Sequence, residues 1–362
     1  MSSPSSLAAA LQPFVDRHEL AGAVVLAAGK DSIHALETVG CANIEAGTPM
    51  PADAMFWIAS MSKPITGAAL MMLVDEGRVR IDDPVETYLP EFAGQWLITE
   101  ADEAHQVLRK PAHPITVRNV LTHTSGLPFR SDMEVPTLDL LPLRVAAKSY
   151  AMTPLQFAPD SKYEYSNAGI NTAGRIIEVV TGIPYEDFLD QRLLGPLGMT
   201  DTTFWPNAAQ TARLARVYRP GPEQTGLELV PTIEQLSYPL ENREQRYPMP
   251  AGGLFSTARD VCRFAQMVLN NGVFAGKRYL SEAAVREMTS KQTGDAVEVE
   301  YGYGWAADQG TFGHGGALAT NMIIDPARGL ITIYLVQHCG FPGEGGKSFL
   351  AFKTTADELY GA

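Results

Sequence analysis

Helical and extended hydrophobic patterns alternate along the chain, and the extended ones collect near its two ends. An amphipathic pattern over residues 3–18 predicts a first helix, and 23–27 and 33–39 predict two strands joined by a turn. From Ser60 to Glu76 apolar residues recur at helical spacing, and Gly77 ends the pattern. Further helices are predicted at 117–121, 168–180, 185–194, 258–269 and 283–289, strands at 302–307, 322–324 and 330–338, and a last helix at about 347–360.

This order of elements predicts how the chain is organised. With strands at both ends and helices between them, the simplest fold is α/β (α+β): one mainly antiparallel sheet built from both chain ends, flanked by helices, plus a helical lobe. We predict a single domain over 1–362, with an α/β lobe at about 1–80 and 290–362 and a helical lobe at about 81–289. Segments 92–114 and 203–250 lack periodicity and are expected to wall a cleft between the lobes.

Composition restricts the partners. Apolar residues make up 45% of the 362 and charged residues 19%, which favours a large core over disorder. The net charge of −13 repels phosphate, so we expect no nucleic-acid partner and no anionic membrane. No signal-like segment or long uncharged apolar run is present, so we expect a soluble, cytoplasmic protein. The oligomeric state stays open.

Metal, phosphate and cofactor motifs are absent from the sequence. The seven histidines are dispersed, the three cysteines are far apart, and there is no HExxH or CxxC spacing. The stretch from Gly340 to Ser348 is one residue too long for a phosphate-binding loop. We predict no metal and no cofactor. The absence of GxSxG also argues against an α/β-hydrolase.

One pair of residues suggests nucleophilic catalysis. Ser60 and Lys63 form the only Ser-x-x-Lys in the chain, and residues at i and i+3 share a helix face. A lysine with a lowered pKa can accept the serine proton, and the helix N-terminus can stabilise an oxyanion. The structural alternative is a helix-capping Ser60 with a solvated Lys63.

Two further motifs follow along the chain. Tyr165-Ser166-Asn167 precedes a predicted helix, where a tyrosine can shuttle a proton and the Asn167 amide can hydrogen-bond Lys63 and substrate. His314-Gly315-Gly316-Ala317 lies near the β-rich end, where glycines let a substrate approach and the Ala317 N–H can serve as an oxyanion donor. Taken singly, Tyr165–Asn167 is more typical of a surface turn, and His314–Ala317 is more typical of a glycine-rich hairpin.

In the order SxxK, YxN and HGG, with 105 and 149 residues between their first positions, these motifs resemble those of the class C β-lactamase-like serine hydrolases. That superfamily includes penicillin-binding proteins and family VIII esterases. Further segments strengthen the likeness along nearly the whole chain: Val120–Pro128 ("VLTHTSGLP"), Phe188–Met199, Met249–Asp260 ("MPAGGLFSTARD") and Tyr301–Trp305 ("YGYGW").

The resemblance implies a role for each matching residue. Ser60 is the acylated nucleophile, Lys63 and Tyr165 share the proton transfers, and Asn167 positions Lys63 and substrate. The N–H groups of Ser60 and Ala317 form the oxyanion hole, with His314, Gly315 and Gly316 beside it. His314 occupies a position where many β-lactamases have lysine, which puts β-lactam turnover in doubt.

Three functions are compatible with these residues. The first is a carboxylesterase on small acyl esters with a Ser60 acyl-enzyme, which the lack of an export signal favours. The alternative with the same mechanism is a D-amino-acid peptidase or weak β-lactamase, acting on a small amide. The alternative of another class is a catalytically inactive relative that binds or scaffolds, against which the intact Ser60, Lys63, Tyr165 and Asn167 argue.

Overall fold

Strands from the two ends of the chain pair into one sheet. The computed structural model describes residues 5–361. The strands of this part are β1 (Gly22–Ala28), β2 (Ile33–Asn43), β3 (Thr48–Pro49), β4 (Phe56–Trp57), β5 (Leu97–Ala101), β6 (Gln106–Arg109), β7 (Val217–Pro220), β8 (Leu227–Val230), β9 (Phe255–Ser256), β10 (Val273–Phe274), β11 (Lys277–Arg278), β12 (Ala306–Asp308), β13 (Thr311–Gly315), β14 (Asn321–Asp325) and β15 (Leu330–Leu335). Seven of them form an antiparallel sheet in the order β12-β13-β14-β15-β1-β2-β3.

The central strand β1 is buried along its whole length. Val24 lies opposite Leu335 and Leu26 opposite Ile333 on β15. Because successive side chains point to opposite faces of a sheet, Val24 and Leu26 enter one apolar core and Val25 enters the other. Burial on both faces explains why this strand is a continuous apolar run rather than an alternating one.

Helices cover both faces of the sheet and fill the middle of the chain. They are α1 (Leu7–Asp16), α2 (Ser62–Asp75), α3 (Val117–Thr122), α4 (Leu143–Met152), α5 (Asn167–Thr181), α6 (Tyr185–Leu189), α7 (Gly195–Leu197), α8 (Ala208–Ala212), α9 (Ala258–Leu269), α10 (Glu282–Thr289) and α11 (Ser348–Tyr360). α1 and α11 pack together on one face, and α9 lies against β1 and β15. α2 contacts α5 and α10. The predicted fold class is confirmed.

Several predicted elements differ in extent from the observed ones. The predicted helix 3–18 begins partly outside the described residues and is observed as Leu7–Asp16. The predicted strand 302–307 is wrong over most of its length, because Gly304 has φ +81° and the chain bends there against α2. The aperiodic segments 92–114 and 203–250 each contain a short two-stranded ribbon, β5–β6 and β7–β8. Within residues 5–361, the helices are all too short or too polar to cross a bilayer.

Candidate active site

Ser60 lies in a single helical turn, Ala59–Met61, that leads directly into α2. The preceding Ala59 adopts φ +45°, a left-handed conformation that costs a residue with a side chain about 1–3 kcal/mol. Ser62 holds this backbone in place: its hydroxyl donates to the Ala59 carbonyl at 2.7 Å and accepts the Leu254 N–H at 3.2 Å. The α-helix therefore starts two residues after the predicted start, and Ser60 lies at a rigid bend rather than inside a regular helix.

Lys63 is fully buried and has three hydrogen-bond partners. Its Nζ donates to Ala251 O at 2.7 Å and to Asn167 Oδ1 at 2.8 Å, and lies 3.1 Å from Ser60 Oγ. Burial lowers the pKa of Lys63 well below its ordinary value, because desolvation disfavours the ammonium. A neutral amine is thereby favoured beside the serine hydroxyl.

The partners of Lys63 also set the direction of its lone pair. The Ala251 carbonyl can only accept, and the Asn167 side chain presents its oxygen. A neutral amine has two hydrogens, and these two acceptors take both of them. The lone pair is left for the third direction, where Ser60 Oγ lies. The geometry thus suits Lys63 as the acceptor of the serine proton.

Tyr165 lies immediately before α5 and covers Lys63, whose Nζ is 4.5 Å from the centre of its ring. Burial raises the pKa of Tyr165 well above its ordinary value, and a hydrogen bond with the Ser60 side chain partly offsets this rise. The hydroxyl therefore stays protonated at neutral pH and is a proton donor beside Ser60. Ser166 caps α5 by accepting the Gly169 N–H at 3.0 Å, which fixes the turn that carries Tyr165 and Asn167.

The His314–Ala317 segment ends β13 and faces the turn that bears Ser60. A side chain on Gly316 would place Cβ 2.1 Å from Thr320 Oγ1 and 2.6 Å from Ile58 O, so only glycine fits this approach. Gly315 is exposed at the end of the strand. Within the described residues, the backbone N–H groups of Ser60 and Ala317 have no partner, as an oxyanion hole requires.

The His314 ring does not line the cavity beside the Ser60 and Ala317 N–H groups. Its Nδ1 donates to Gly315 O at 2.6 Å, so Nε2 is the unprotonated nitrogen and accepts the Tyr301 hydroxyl at 3.0 Å. Burial and the nearby Lys63 lower the pKa of His314 to about 3. The ring is therefore neutral, and its contacts are with aromatic side chains, including Tyr165 at 6.1 Å between ring centres.

A cavity of about 240 Å³ opens at Ser60. No charged side chain from the described part of the chain lines it, and neither does His314. The lining residues are mostly apolar and are Trp57, Ala59, Ser60, Phe129, Tyr165, Asn167, Gln235, Met249, Ala251, Gly252 and Ala317. The structure thus brings Ser60, Tyr165, Asn167 and Ala317 together around one cavity, with Lys63 buried beside Ser60 and Asn167.

Three residues that were not predicted as part of the site contact its members. His123 is buried, its Nδ1 accepts the Ser166 N–H at 3.1 Å, and its ring lies 4.5 Å from that of Tyr165. Tyr301 holds His314, and Ala251 supplies the carbonyl for Lys63. Each comes from a segment that carries the family likeness, which was the available signal. Within residues 5–361, acidic, histidine and cysteine side chains form no cluster that could hold a metal ion.

Comparisons with known proteins agree with this architecture. A family model described as Beta-lactamase matches residues 7–350. Protein Rv1367c of Mycobacterium tuberculosis is 32% identical over 368 residues, covering 91% of this chain and 89% of its own. Esterase EstB of Burkholderia gladioli is 29% identical over 395 residues, covering 96% and 95%. The structure of EstCE1, a hydrolase with promiscuous acyltransferase activity, superposes with a TM-score of 0.79 over 97% of both chains at 23% identity.

Proposed function

Since the chain belongs to the β-lactamase-fold family of serine hydrolases, which includes esterases and peptidases, we propose that it hydrolyses small carboxylic esters through an acyl-enzyme on Ser60. The observation that carries the proposal is the environment of Lys63, a buried amine whose hydrogens are held by Ala251 and Asn167 and whose lone pair faces Ser60 Oγ. Beside it lies a cavity with an uncharged lining.

Acylation begins when Ser60 Oγ attacks the ester carbonyl carbon and its proton passes to Lys63 Nζ. The carbonyl oxygen becomes an oxyanion bound by the N–H groups of Ser60 and Ala317. As the tetrahedral intermediate collapses, the bond to the leaving alkoxide breaks, and the alkoxide receives a proton from the Tyr165 hydroxyl, which Lys63 reprotonates. Water then attacks the acyl-enzyme by the same proton route in reverse and releases the carboxylic acid.

Esters are favoured over carboxylate-bearing β-lactams because, within residues 5–361, no positively charged side chain lines the cavity. The histidine at position 314 is neutral and bonded to Tyr301 and its own strand, so it offers no charge to a carboxylate. The alcohol leaving group of an ester also needs less protonation than the amine of an amide. Short acyl groups match a cavity of about 240 Å³.

A labelling experiment combined with a substrate panel tests this proposal. Intact-mass analysis after a fluorophosphonate probe should show one adduct, which Ser60→Ala abolishes while the circular dichroism spectrum is unchanged. Steady-state kcat/KM should be highest for p-nitrophenyl butyrate, compared with nitrocefin and a D-alanyl anilide. Faster hydrolysis of nitrocefin or the anilide would replace the esterase with a β-lactamase or peptidase. The absence of any adduct would favour a non-catalytic relative.

A further inference from the structure

A chain of buried polar side chains runs from the backbone of Ala251 into the helical part of the molecule. It consists of Asn171 on α5, Tyr150 on α4 and Glu134 in the loop before α4, each at most 2% exposed. We propose that this chain is a positioning device for the general base: it holds Ala251 so that its carbonyl keeps Lys63 aimed at Ser60. The inference rests on the function proposed above for Lys63.

Every hydrogen bond in the chain has its direction set by the previous one. The Ala251 N–H donates to Asn171 Oδ1 at 3.0 Å, which leaves Asn171 Nδ2 as the donor to the Tyr150 hydroxyl, also at 3.0 Å. Tyr150 has a single hydroxyl proton and donates it to Glu134 Oε1 at 2.5 Å. Because a peptide N–H cannot accept, the whole sequence runs one way, towards the carboxylate.

Glu134 anchors the far end. Its Oε2 accepts the Ser131 N–H at 2.8 Å, so both carboxylate oxygens have a donor. Burial raises the pKa of Glu134, and the bonds from Tyr150 and Ser131 and the charge of Arg130 oppose that rise. Hydrogen bonds that end on an anion are stronger than neutral ones, and they polarise their neighbours in a buried chain. The anchor therefore stiffens the bonds that lead back to Ala251.

At the end of the chain next to Lys63, two hydrogen-bond acceptors of Lys63 depend on α5. Asn171 lies one helical turn after Asn167 on the same face of α5, so one helix holds both the Asn167 acceptor and the support for Ala251. The Ala251 carbonyl makes the shortest of the three bonds to Lys63, at 2.7 Å. Loss of the support would let this carbonyl move, and Lys63 would lose an acceptor and the direction of its lone pair.

Loosening the Ala251 carbonyl has a definite effect on the titration of Lys63. A hydrogen bond from the ammonium to a carbonyl favours the charged form, so weakening it lowers the pKa of Lys63 further. The other groups that face Lys63, namely Tyr165, His123 and His314, keep their identity when the chain is broken at Tyr150 or Glu134. In a plot of acylation rate against pH, the acidic limb should therefore move to lower pH, and the maximum rate should fall.

Tyr150→Phe breaks the chain by removing one hydroxyl, and Tyr334→Phe is the matched control. Tyr334 is equally buried and its hydroxyl bonds Ser348 at 2.8 Å, in the separate core beneath α11. We expect Tyr150→Phe to slow fluorophosphonate acylation by about 10-fold to 10²-fold, the scale of a misplaced catalytic group, with KM for p-nitrophenyl butyrate unchanged. Tyr334→Phe should leave the rate and its pH limb as in the unmodified protein.

NMR titration of ¹³Cε-labelled lysine measures the pKa of Lys63 without any turnover. Tyr150→Phe should lower it by at least about 0.5 pH unit, part of the strength of a hydrogen bond to a charged group. Equal rates and an equal Lys63 pKa in both tyrosine variants would overturn the positioning role. If the unmodified protein forms no adduct, the proposed function fails, and the titration still decides whether the chain supports Ala251.

Glu134→Gln provides a second variant if Tyr150→Phe does not fold. It keeps the volume of the side chain and removes the charge at the end of the chain. Acylation should therefore slow and the pKa of Lys63 should fall, each by less than in Tyr150→Phe. A Glu134→Gln protein with the acylation rate and Lys63 pKa of the unmodified chain would exclude the carboxylate as the anchor.

Discussion

At the scale of single residues, Lys63 Nζ is held by the Asn167 side chain and the Ala251 backbone carbonyl beside Ser60. Ser60, Lys63, Tyr165 and Asn167 meet as their motifs suggested. The Ala251 carbonyl, the shortest contact of Lys63, could not be foreseen, because every residue has such a group and its position depends on the fold.

His314 shows the same limit for a side chain. Its place in a motif was visible in the sequence, but the direction of its ring depends on the alternation of β13 and on the Tyr301 hydroxyl. Motif position therefore identified the segment and left open which of its atoms face the cavity.

Lys63 and Tyr165 should act as one unit. Lys63→Ala removes the acceptor of the Ser60 proton and Tyr165→Phe the donor to the leaving alkoxide, and each should lower kcat/KM for an alkyl ester such as ethyl butyrate by at least about 10²-fold. Because Lys63 and Tyr165 relay one proton in sequence from Ser60 to the leaving group, the double variant should lose little more than the worse single one. A double loss equal to the product of the single losses would mean that the two groups act independently.

The oxyanion donors give a second prediction at this scale. Gly316→Ala would bring a Cβ to 2.6 Å from Ile58 O, which forces β13 and the Ala317 N–H away from Ser60. We expect at least about a 10²-fold loss of kcat on p-nitrophenyl butyrate, the cost of one misplaced donor. Gly346→Ala is the control, since its added Cβ meets nothing within 4 Å. Equal activity in both variants would show that the close contact between Gly316 and Ile58 does not matter for catalysis.

At the scale of elements, one capped helix has the predicted bounds, one predicted strand forms only at its end, and α4 was not predicted. The α9 helix has the predicted bounds, and Thr257 caps it by accepting the Asp260 N–H. The segment around Gly304 was predicted as a strand from its aromatic residues, and tertiary packing overrides that preference: Tyr303 N donates to Met288 O and Gly304 N to Leu121 O. These are contacts between distant parts of the chain, which a local pattern does not encode.

Gly67 on α2 packs against the bend at Tyr303 and Gly304. A Cβ there would lie 2.0 Å from the Tyr303 carbonyl oxygen, so Gly67→Ala should push α2 away from the bend at Gly304. Overpacking against backbone should lower the free energy of unfolding by about 3 kcal/mol or more, outweighing the better helix propensity of alanine. Urea denaturation measures this, with Gly346→Ala as the control. An unchanged midpoint would show that the helix adjusts without cost.

At the scale of the whole molecule, the arrangement of the sheet was predictable because strand patterns were confined to the two chain ends, and β1 does pair with β15. Which helices pack on the sheet was not. α9 falls within the predicted helical lobe in sequence yet packs on the sheet against β1 and β15. An amphipathic pattern shows that one helix face is buried and does not show which element buries it.

Burial across the molecule also sets how stability depends on pH. Three histidines are buried, and burial lowers the pKa of His338 to about 4, that of His314 to about 3 and that of His123 well below the ordinary value. Above pH 6.5 these groups are neutral in both the folded and unfolded states. Below it the unfolded chain binds protons that the folded chain does not, so each histidine lowers the free energy of unfolding as the pH falls.

His338→Gln isolates one of these contributions. His338 Nε2 accepts the Ala21 N–H at 3.2 Å, and a glutamine oxygen can take that role without titrating. The half-buried Glu186 and the buried Asp260, whose carboxyl pKa values are raised by burial, act in the opposite direction but are the same in both proteins. Relative to the unmodified chain, the variant should therefore gain stability between pH 6.5 and 4, reaching about 3 kcal/mol at pH 4.

Urea denaturation between pH 6.5 and 4 measures the difference in the free energy of unfolding between the two proteins. Parallel curves for His338→Gln and the unmodified protein would mean that His338 is protonated as easily in the folded state as in the unfolded one.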